Sequence, residues 1–399
     1  MAIRQTRAAV VGVGHSKVYR HDDVSLGVLS IDACLKAIED AGLVPGDIDG
    51  VVVDPLQPVD PFDGSGVDGR QKVGPEYIIQ ALNLDVSWYE ACAGSMSGTM
   101  IEAANAVASG ICNYVLAFRA LHNPRGRYGR TNPASSGGVW GGQYTGPYGL
   151  YAPAIYAHLW TRYMFEYGTS REQMAPFIVN NRKNALLWEH GYWYQHRPVP
   201  LTEEDYLAGR MISSPISLFD CDIPIQACGA FVLTSPERAK DLPHEPAYIR
   251  GWAMPGIVGG PVTARSFDLI KARGARFSQQ LFENSGIKPS DVDIANVYDG
   301  FSIFVPLWLE ALGFCKDGEA FDFMTSERIA LDGDFPVNTS SGNLGAGRTH
   351  GVPHFMDSVL QIMGRSGPRQ VKKRVDIALT TAGGAPGNCA GMVFSSCSE

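Results

Sequence analysis

Two stretches of the chain, 244 residues apart, carry one pattern. Ala41–Asp49 reads AGLVPGDID and Ser285–Asp293 reads SGIKPSDVD, so Gly42, Pro45, Asp47 and Asp49 recur as Gly286, Pro289, Asp291 and Asp293. Each copy follows a helical apolar periodicity and precedes a short apolar run, VVVD in one and IANVYD in the other. A glycine just past the last periodic residue ends a helix. A looser match extends both copies. The first continues with CAGSMSG, an Ala-rich helix, ASG and YVLAFRA; the second with NLGAGRTHG, an apolar helix, GRSG and DIALTTAGG. Each half therefore reads strand, small-residue turn, helix, glycine, strand. A repeat of this content predicts an α/β fold built from two βαβ-type halves. In such a duplicate the two glycine-rich turns can face each other across a pseudo-twofold axis, with two helix N-termini at one site.

The second of these turns, Phe335–Gly351 (FPVNTSSGNLGAGRTHG), runs straight into a helical pattern over Val352–Met363. A loop of this kind lets backbone approach a ligand closely, and a helix start offers N–H groups to an anion or oxyanion. Between the halves lies Leu121–Ser214, dense in Gly, Tyr and Trp and helical over Tyr151–Tyr167. Its aromatics read as core packing under a long insertion; the alternative is an apolar wall for a bulky substrate. The expected organisation is an N-terminal half over 1–120 plus 215–244, an inserted loop domain over 121–214 and a C-terminal half over 245–399.

Composition removes several function classes. The net charge is −8 and no basic stripe stands out, so nucleic acid is not an expected partner. No run reaches the roughly 18 apolar residues of a membrane span. The first apolar stretch is too short for a secretion signal. The cysteines (34, 92, 112, 221, 228, 315, 389 and 397) include no CxxC pair. That argues against structural zinc and a disulfide framework, and fits a reducing cytoplasm. VGVGHSKV lacks the third glycine of a dinucleotide-binding turn.

The duplicated halves, taken in order with YGLYAPAIYAHLWTRYMFEYGTSREQMA, LTEEDYLAGRMISSPISLFDCDIP, NVYDGFSIFVPLWLEALGFCKDGE and NTSSGNLGAGRTHG, resemble the thiolase superfamily over essentially the whole chain. Within it they are similar to the thiolase-like lipid-transfer proteins, whose best-understood members are steroid side-chain-cleaving aldolases. The resemblance implies the thiolase fold, with duplicated βαβ-type halves in five αβαβα layers. True thiolases use a Cys at the first half's helix start, a His from the second half's loop, a further His or Asn, and a second Cys from a C-terminal loop. In this sequence the first Cys falls on Ala93, with Cys92 one residue away and kept as a candidate. The loop His is replaced by Arg348. The next segment reads Tyr298-Asp299-Gly300-Phe301, and the last loop, Thr380-Thr381-Ala382-Gly383-Gly384, has no Cys. The aldolase branch uses tyrosines instead. One falls on Tyr298, a match; the other falls on Arg348, a mismatch. His350 fits the branch.

The candidate catalytic set is Tyr298, Arg348, His350, Asp299 and Cys92. Tyr298 is expected to deliver or accept a proton, with Arg348 lowering its pKa. Asp299 orients either residue or caps a helix. Arg348 binds a substrate anion or pairs with Asp299. Gly345, Gly347, Asn343, Ala93 and Gly383 are expected around the oxyanion, and Arg125 and Arg127 at the phosphates of coenzyme A. The expected reaction is retro-aldol cleavage of a β-hydroxyacyl-CoA, from a steroid side chain or an aromatic acyl group, to a ketone or aldehyde and a short acyl-CoA. The alternatives are a thiolase or acyltransferase using Cys92, and a non-catalytic acyl-CoA- or lipid-binding subunit. The resemblance also implies a homodimer and a small OB-fold, zinc-ribbon partner subunit. Zinc is expected only in that partner, and no cofactor is expected on this chain beyond the coenzyme A thioester it acts on.

Overall fold

The computed structural model describes residues 8–21, 23–54, 69–92, 94–123, 152–255, 266–384, 386 and 390–398. The first half contains β1 (Ala9–His15), α1 (Leu26–Asp40), β2 (Gly50–Val53), α2 (Pro75–Leu82), β3 (Trp88–Ala91), α3 (Ser95–Ala108) and β4 (Tyr114–His122). Then come α4 (Ala152–Tyr167), α5 (Ala175–Ala185), a small hairpin of β5 (Met211–Ser213) and β6 (Ile216–Ser217), and β7 (Gln226–Thr234). The second half contains β8 (Ala247–Ala253), α6 (Phe267–Ser285), β9 (Ile294–Asn296), α7 (Phe304–Ala311), α8 (Gly342–Ala346), α9 (Val352–Ile362), β10 (Ile377–Ala382) and β11 (Ala390–Ser395).

The large sheet has the order β3-β2-β4-β7-β1-β8-β11-β10-β9. Read outward from its middle, β1-β7-β4-β2-β3 mirrors β8-β11-β10-β9, and Val337 bridges Ala295 in parallel where β3 stands in the other half. The halves meet through two antiparallel pairs, Ala9–Tyr248 and Val10–Ala247. The two half-sheets are thus hydrogen-bonded into one ladder. α1 packs on β1, β7 and β4, and α6 on β8 and β11. α3 touches β2 and β4 of its own half and β10 and β11 of the other; α9 touches α3, β9, β10 and β8. Hence α3 and α9 form the central helical layer. Strand alternation explains it: Val51 and Val53 of β2 join the core under α1, while Val52 joins the core that holds Met96 and Met100 of α3. A sheet covered on both faces reads as a continuous apolar run.

The repeated residues do the same work twice. Gly42 (φ 71°) and Gly286 (φ 63°) end α1 and α6 in the left-handed conformation. Asp47 accepts from the N–H of Val44 at 2.8 Å, and Asp291 from Lys288 at 2.8 Å. Asp49 accepts from the N–H groups of Asn113 and Tyr114 at the start of β4; Asp293 accepts from Asp376 and Ile377 at the start of β10. The glycines of VGVGHSKV serve packing: a Cβ on Gly12 would lie 2.3 Å from the Ala37 carbonyl oxygen of α1.

The aromatics of α4 are mostly core. Trp160 and Tyr163 are fully buried, Tyr156 packs tilted against Phe301 and edge-on to Phe304 with centroids at 4.6 Å, and the Tyr163 hydroxyl donates to Glu310 of α7. Phe165 is the exception and is exposed.

Candidate active site

The glycine-rich loop holds an unusual density of left-handed backbone. Asn338, Ser341, Gly342, Gly347, His350 and Gly351 all have φ between 47° and 113°. Such conformations are unfavourable for non-glycine residues and persist where surroundings impose them. Here the surroundings are polar and buried. The Asn338 carboxamide accepts from the Val297 N–H at 2.8 Å and fixes the loop to the end of β9. The short helix α8, which sequence periodicity did not reveal, occupies the loop's middle.

Asp299 organises this loop. Its carboxylate is fully buried. It accepts from the N–H of Asn343 at 2.7 Å and of Leu344 at 3.5 Å, from Asn181 Nδ2 of α5 at 3.4 Å and from His354 Nε2 at 3.0 Å. It therefore caps α8 and clamps α9, and makes no hydrogen bond with Tyr298 or Arg348. Gly342 is required beside it, since a Cβ there would lie 2.0 Å from Asp299 Oδ2.

Tyr298 follows β9, and its N–H donates to Thr381 Oγ1 of β10 at 3.0 Å. The ring lies between His354 and Phe304, with centroids at 5.9 and 6.2 Å. It is 7% exposed, and its hydroxyl has no hydrogen bond to a described residue. Burial, reinforced by Asp222, pushes the phenol above its ordinary pKa; Arg348 opposes this but does not win. The expected phenolate is thus replaced by a neutral phenol that can donate.

Arg348 turns away from Asp299. Its Nε lies 3.7 Å from Asp222 Oδ1, and Asn123, with its carboxamide oxygen facing the guanidinium, accepts from Nε at 2.9 Å. Its N–H donates to the Ile223 carbonyl at 2.8 Å. His350 faces the first half. Its Nδ1 lies 3.0 Å from Arg119 Nη2 of β4, and Arg119 Nη1 lies 2.7 Å from Asp54 Oδ2. Asp54 also accepts from the N–H of Ser95, at the start of α3, at 2.7 Å. The His350 carbonyl accepts from Met96 at 3.2 Å. A Cβ on Gly351 would lie 2.6 Å from Ala382 and 3.3 Å from Met96 Cβ. The starts of α3 and α9 therefore meet, as the repeat predicts. An adjacent cleft of about 840 Å³ reaches this region at Asp222 and Leu344, and Arg20, Arg197 and Arg210 line its walls.

This geometry has known counterparts. A model described as thiolase C-terminal domain-like matches residues 262–395. A steroid side-chain-cleaving aldolase from Thermomonospora curvata is 32% identical over 396 residues, spanning 97% of each chain. The chain belongs to the thiolase superfamily, on its steroid side-chain-cleaving aldolase branch. A 17-hydroxy-3-oxo-4-pregnene-20-carboxyl-CoA lyase from Mycobacterium tuberculosis is 32% identical over 371 residues, covering 90% of this chain and 92% of that one. The solved Ltp2-ChsH2(DUF35) aldolase superposes with a TM-score of 0.82 at 31% identity, over 98% of each chain.

In this thiolase-superfamily chain the start of α3 does not activate a thiol. Cys92 is partly buried, its Sγ is 3.6 Å from Thr99 Oγ1, and burial pushes its pKa up to about 11, with Asp54 adding to the rise. The carboxylate on Ser95 already occupies the helix end that would favour a thiolate. The glycine N–H groups expected at an oxyanion are engaged elsewhere: Gly345 donates to Ser341 at 2.8 Å and Gly347 to Asn343 at 3.2 Å, completing α8. Asn343 is fully buried, with Nδ2 unpartnered among the described residues. Gly383 (φ 110°) follows β10 beside this centre. Ala93, Arg125 and Arg127 lie outside the described residues. Sequence reasoning missed Asp54, Arg119 and Asp222. The signals were present: Arg119 is a cation inside an otherwise apolar strand, YVLAFRA, and Asp222 sits in FDCDIP. Among the described residues no helix is long and apolar enough to cross a membrane, and no group of three or more His, Cys, Asp or Glu is placed to hold a metal.

Proposed function

We propose that the chain is a carbon–carbon lyase that cleaves a β-hydroxyacyl-CoA by a retro-aldol reaction. The observation that carries this reading is Tyr298: a buried phenol with no hydrogen bond to a described residue, where an acyl-transferring thiolase has other groups, in a chain whose Cys92 is not activated. In the reaction the β-hydroxyl loses its proton and the Cα–Cβ bond breaks. Its electron pair passes into the thioester as an enolate, and Cα gains a proton. The products are a ketone or aldehyde and a short acyl-CoA. The phenol relays the proton, receiving that of the β-hydroxyl as its own passes to Cα, so it ends neutral as it began. Asp299 acts by fixing the loop, and Arg348, held by Asp222 and Asn123, adds positive charge near the developing enolate. A steroid side-chain thioester is the favoured substrate, given what the relatives from Thermomonospora and Mycobacterium are named for. An aromatic acyl-CoA is the second choice.

The cleft offers a place for coenzyme A. Arg20, Arg197 and Arg210 stand around it, and Trp193 and Phe219 add aromatic wall. We assign the phosphates to Arg197 and Arg210, which are exposed, rather than to Arg182, whose guanidinium lies on Trp193 and donates to the Val199 carbonyl. The double variant Arg197→Ala/Arg210→Ala is expected to raise KM for the thioester by about tenfold and leave kcat within about twofold. An unchanged KM in steady-state assays would remove the phosphates from this cleft. The working assembly is proposed to be a homodimer with a DUF35-type partner, whose OB-fold and zinc ribbon would complete the acyl pocket.

The deciding assay uses the chain co-expressed with that partner and a panel of β-hydroxyacyl-CoA thioesters, with products read by mass spectrometry. Release of a carbonyl compound and a shorter acyl-CoA supports the lyase; a covalent acyl adduct on Cys92 supports a thiolase. Within this reading Gly300 is a positioning requirement. A Cβ there would lie 2.8 Å from Tyr298 Cε1 and 2.9 Å from its hydroxyl. Gly300→Ala is expected to displace the ring and lower kcat by about 10²-fold, the usual effect of an ångström-scale misplacement. A fully active Gly300→Ala enzyme would mean that the hydroxyl's position is immaterial.

A further inference from the structure

The chain carries a buried ion pair that the reaction above does not use. Arg119 is 1% exposed in the middle of β4, an expensive place for a charge unless partners hold it. Asp54, at the end of β2, binds it through Oδ2 at 2.7 Å and through its carbonyl at 3.0 Å from Nη1. The other end of the guanidinium, Nη2, points at His350 Nδ1 at 3.0 Å. An arginine has donors only and stays protonated at any ordinary pH. The contact therefore requires a lone pair on Nδ1. A neutral imidazole with a lone pair on Nδ1 has its proton on Nε2. His350 Nε2 makes no hydrogen bond to a described residue, and the residue is partly exposed.

We propose that Arg119, held by Asp54, locks His350 as a neutral imidazole with its proton on Nε2, so that His350 donates a hydrogen bond to the thioester oxygen as the enolate forms. Arg119 and Asp54 are then positioning residues. The donor role rests on the lyase reading; the lock does not. The charges about the ring are Arg119 from β4, Asp54 behind it and Arg348 from the ring's own loop. Two cations and burial oppose a second proton on the ring and hold its pKa well below the ordinary value. A ring kept neutral in this way cannot arrive as an imidazolium acid. Its bound Nδ1 also cannot act as a base, which leaves the Nε2–H as its one reactive group.

The test is long-range ¹H–¹⁵N NMR of the histidine-labelled full chain, with the His350 signals assigned from the His350→Gln spectrum. The expected result is a proton on Nε2, a bare Nδ1, and no titration between about pH 5 and 8. Arg119→Lys should keep this signature. Arg119→Met paired with Asp54→Asn, which leaves no buried lone charge, should restore a tautomer mixture and titration near the ordinary value of about 6.5. A proton on Nδ1, or ordinary titration in the wild-type chain, overturns the lock whatever the reaction proves to be. The donor role is read separately in the lyase assay. His350→Gln retains an N–H donor and should lose about tenfold in kcat, whereas His350→Leu should lose about 10²–10³-fold, the usual effect of deleting an oxyanion donor. Equal losses in the two variants would overturn the donor role. Absence of any lyase turnover would overturn that role together with the lyase reading, while the NMR result still decides the lock.

Discussion

Tyr298→Phe is expected to lower kcat/KM for cleavage of a β-hydroxyacyl-CoA by about 10³-fold, within the range for loss of a positioned proton-transfer group. The ring lies between His354 and Phe304, and the hydroxyl has no hydrogen bond to a described residue, so phenylalanine keeps the packing and removes only the hydroxyl. The melting temperature should hardly move. Cys92→Ala is the contrasting variant. Its thiol is held protonated, with a pKa pushed up to about 11, and so should be dispensable, leaving kcat/KM within about threefold. Both are read in one steady-state assay with the partner subunit present. Full activity in Tyr298→Phe together with a dead Cys92→Ala would return the chemistry to acyl transfer through Cys92.

Asp299→Ala should be the most destabilising single change in the site. It removes the acceptor for two backbone N–H groups, for Asn181 and for His354, all enclosed away from water. Deleting one partner of a buried, hydrogen-bonded charge costs about 3–5 kcal/mol. Asp299→Asn keeps the shape and one acceptor oxygen but turns an amide toward N–H donors, so about half that loss is expected. Urea unfolding with the two variants side by side measures the difference. An Asp299→Ala chain as resistant to urea as wild type would show that the loop is held by something else.

The fold was legible because its signals are local. Glycine at 42 and 286, proline at 45 and 289 and the paired aspartates fixed where each half's helix ends and its next strand begins. The structure adds why the aspartates recur: Asp49 and Asp293 dock the start of the neighbouring strand, β4 and β10. The site was legible only in part. Tyr298, Asp299, Arg348 and His350 stood out as departures within a recognisable loop. Their partners did not, because Arg119 meets His350 across 231 residues and no periodicity connects them. The role of Asp299 was open for the same reason: whether it orients a reacting group or caps a helix depends on α8, a five-residue helix lying inside a stretch that reads as loop. The effect of Arg348 on Tyr298 was misjudged because sequence gives a charge's sign and not the burial that outweighs it.

The pairing at the middle of the large sheet has a consequence for how the chain comes into being. β1 is the first of the described strands to be made, yet its neighbours are β7 and β8, and β4 must also wait for β7. Until residues near 234 have been synthesised, the first half has no closed sheet on which to rest. His350 reaches Arg119 only after the second half has been laid against the first. Pairings across such separations form slowly and leave strand edges open in the meantime. The nascent polypeptide thus carries apolar strands unsatisfied until the residues that pair with them are made, and catalytic competence arrives late and all at once.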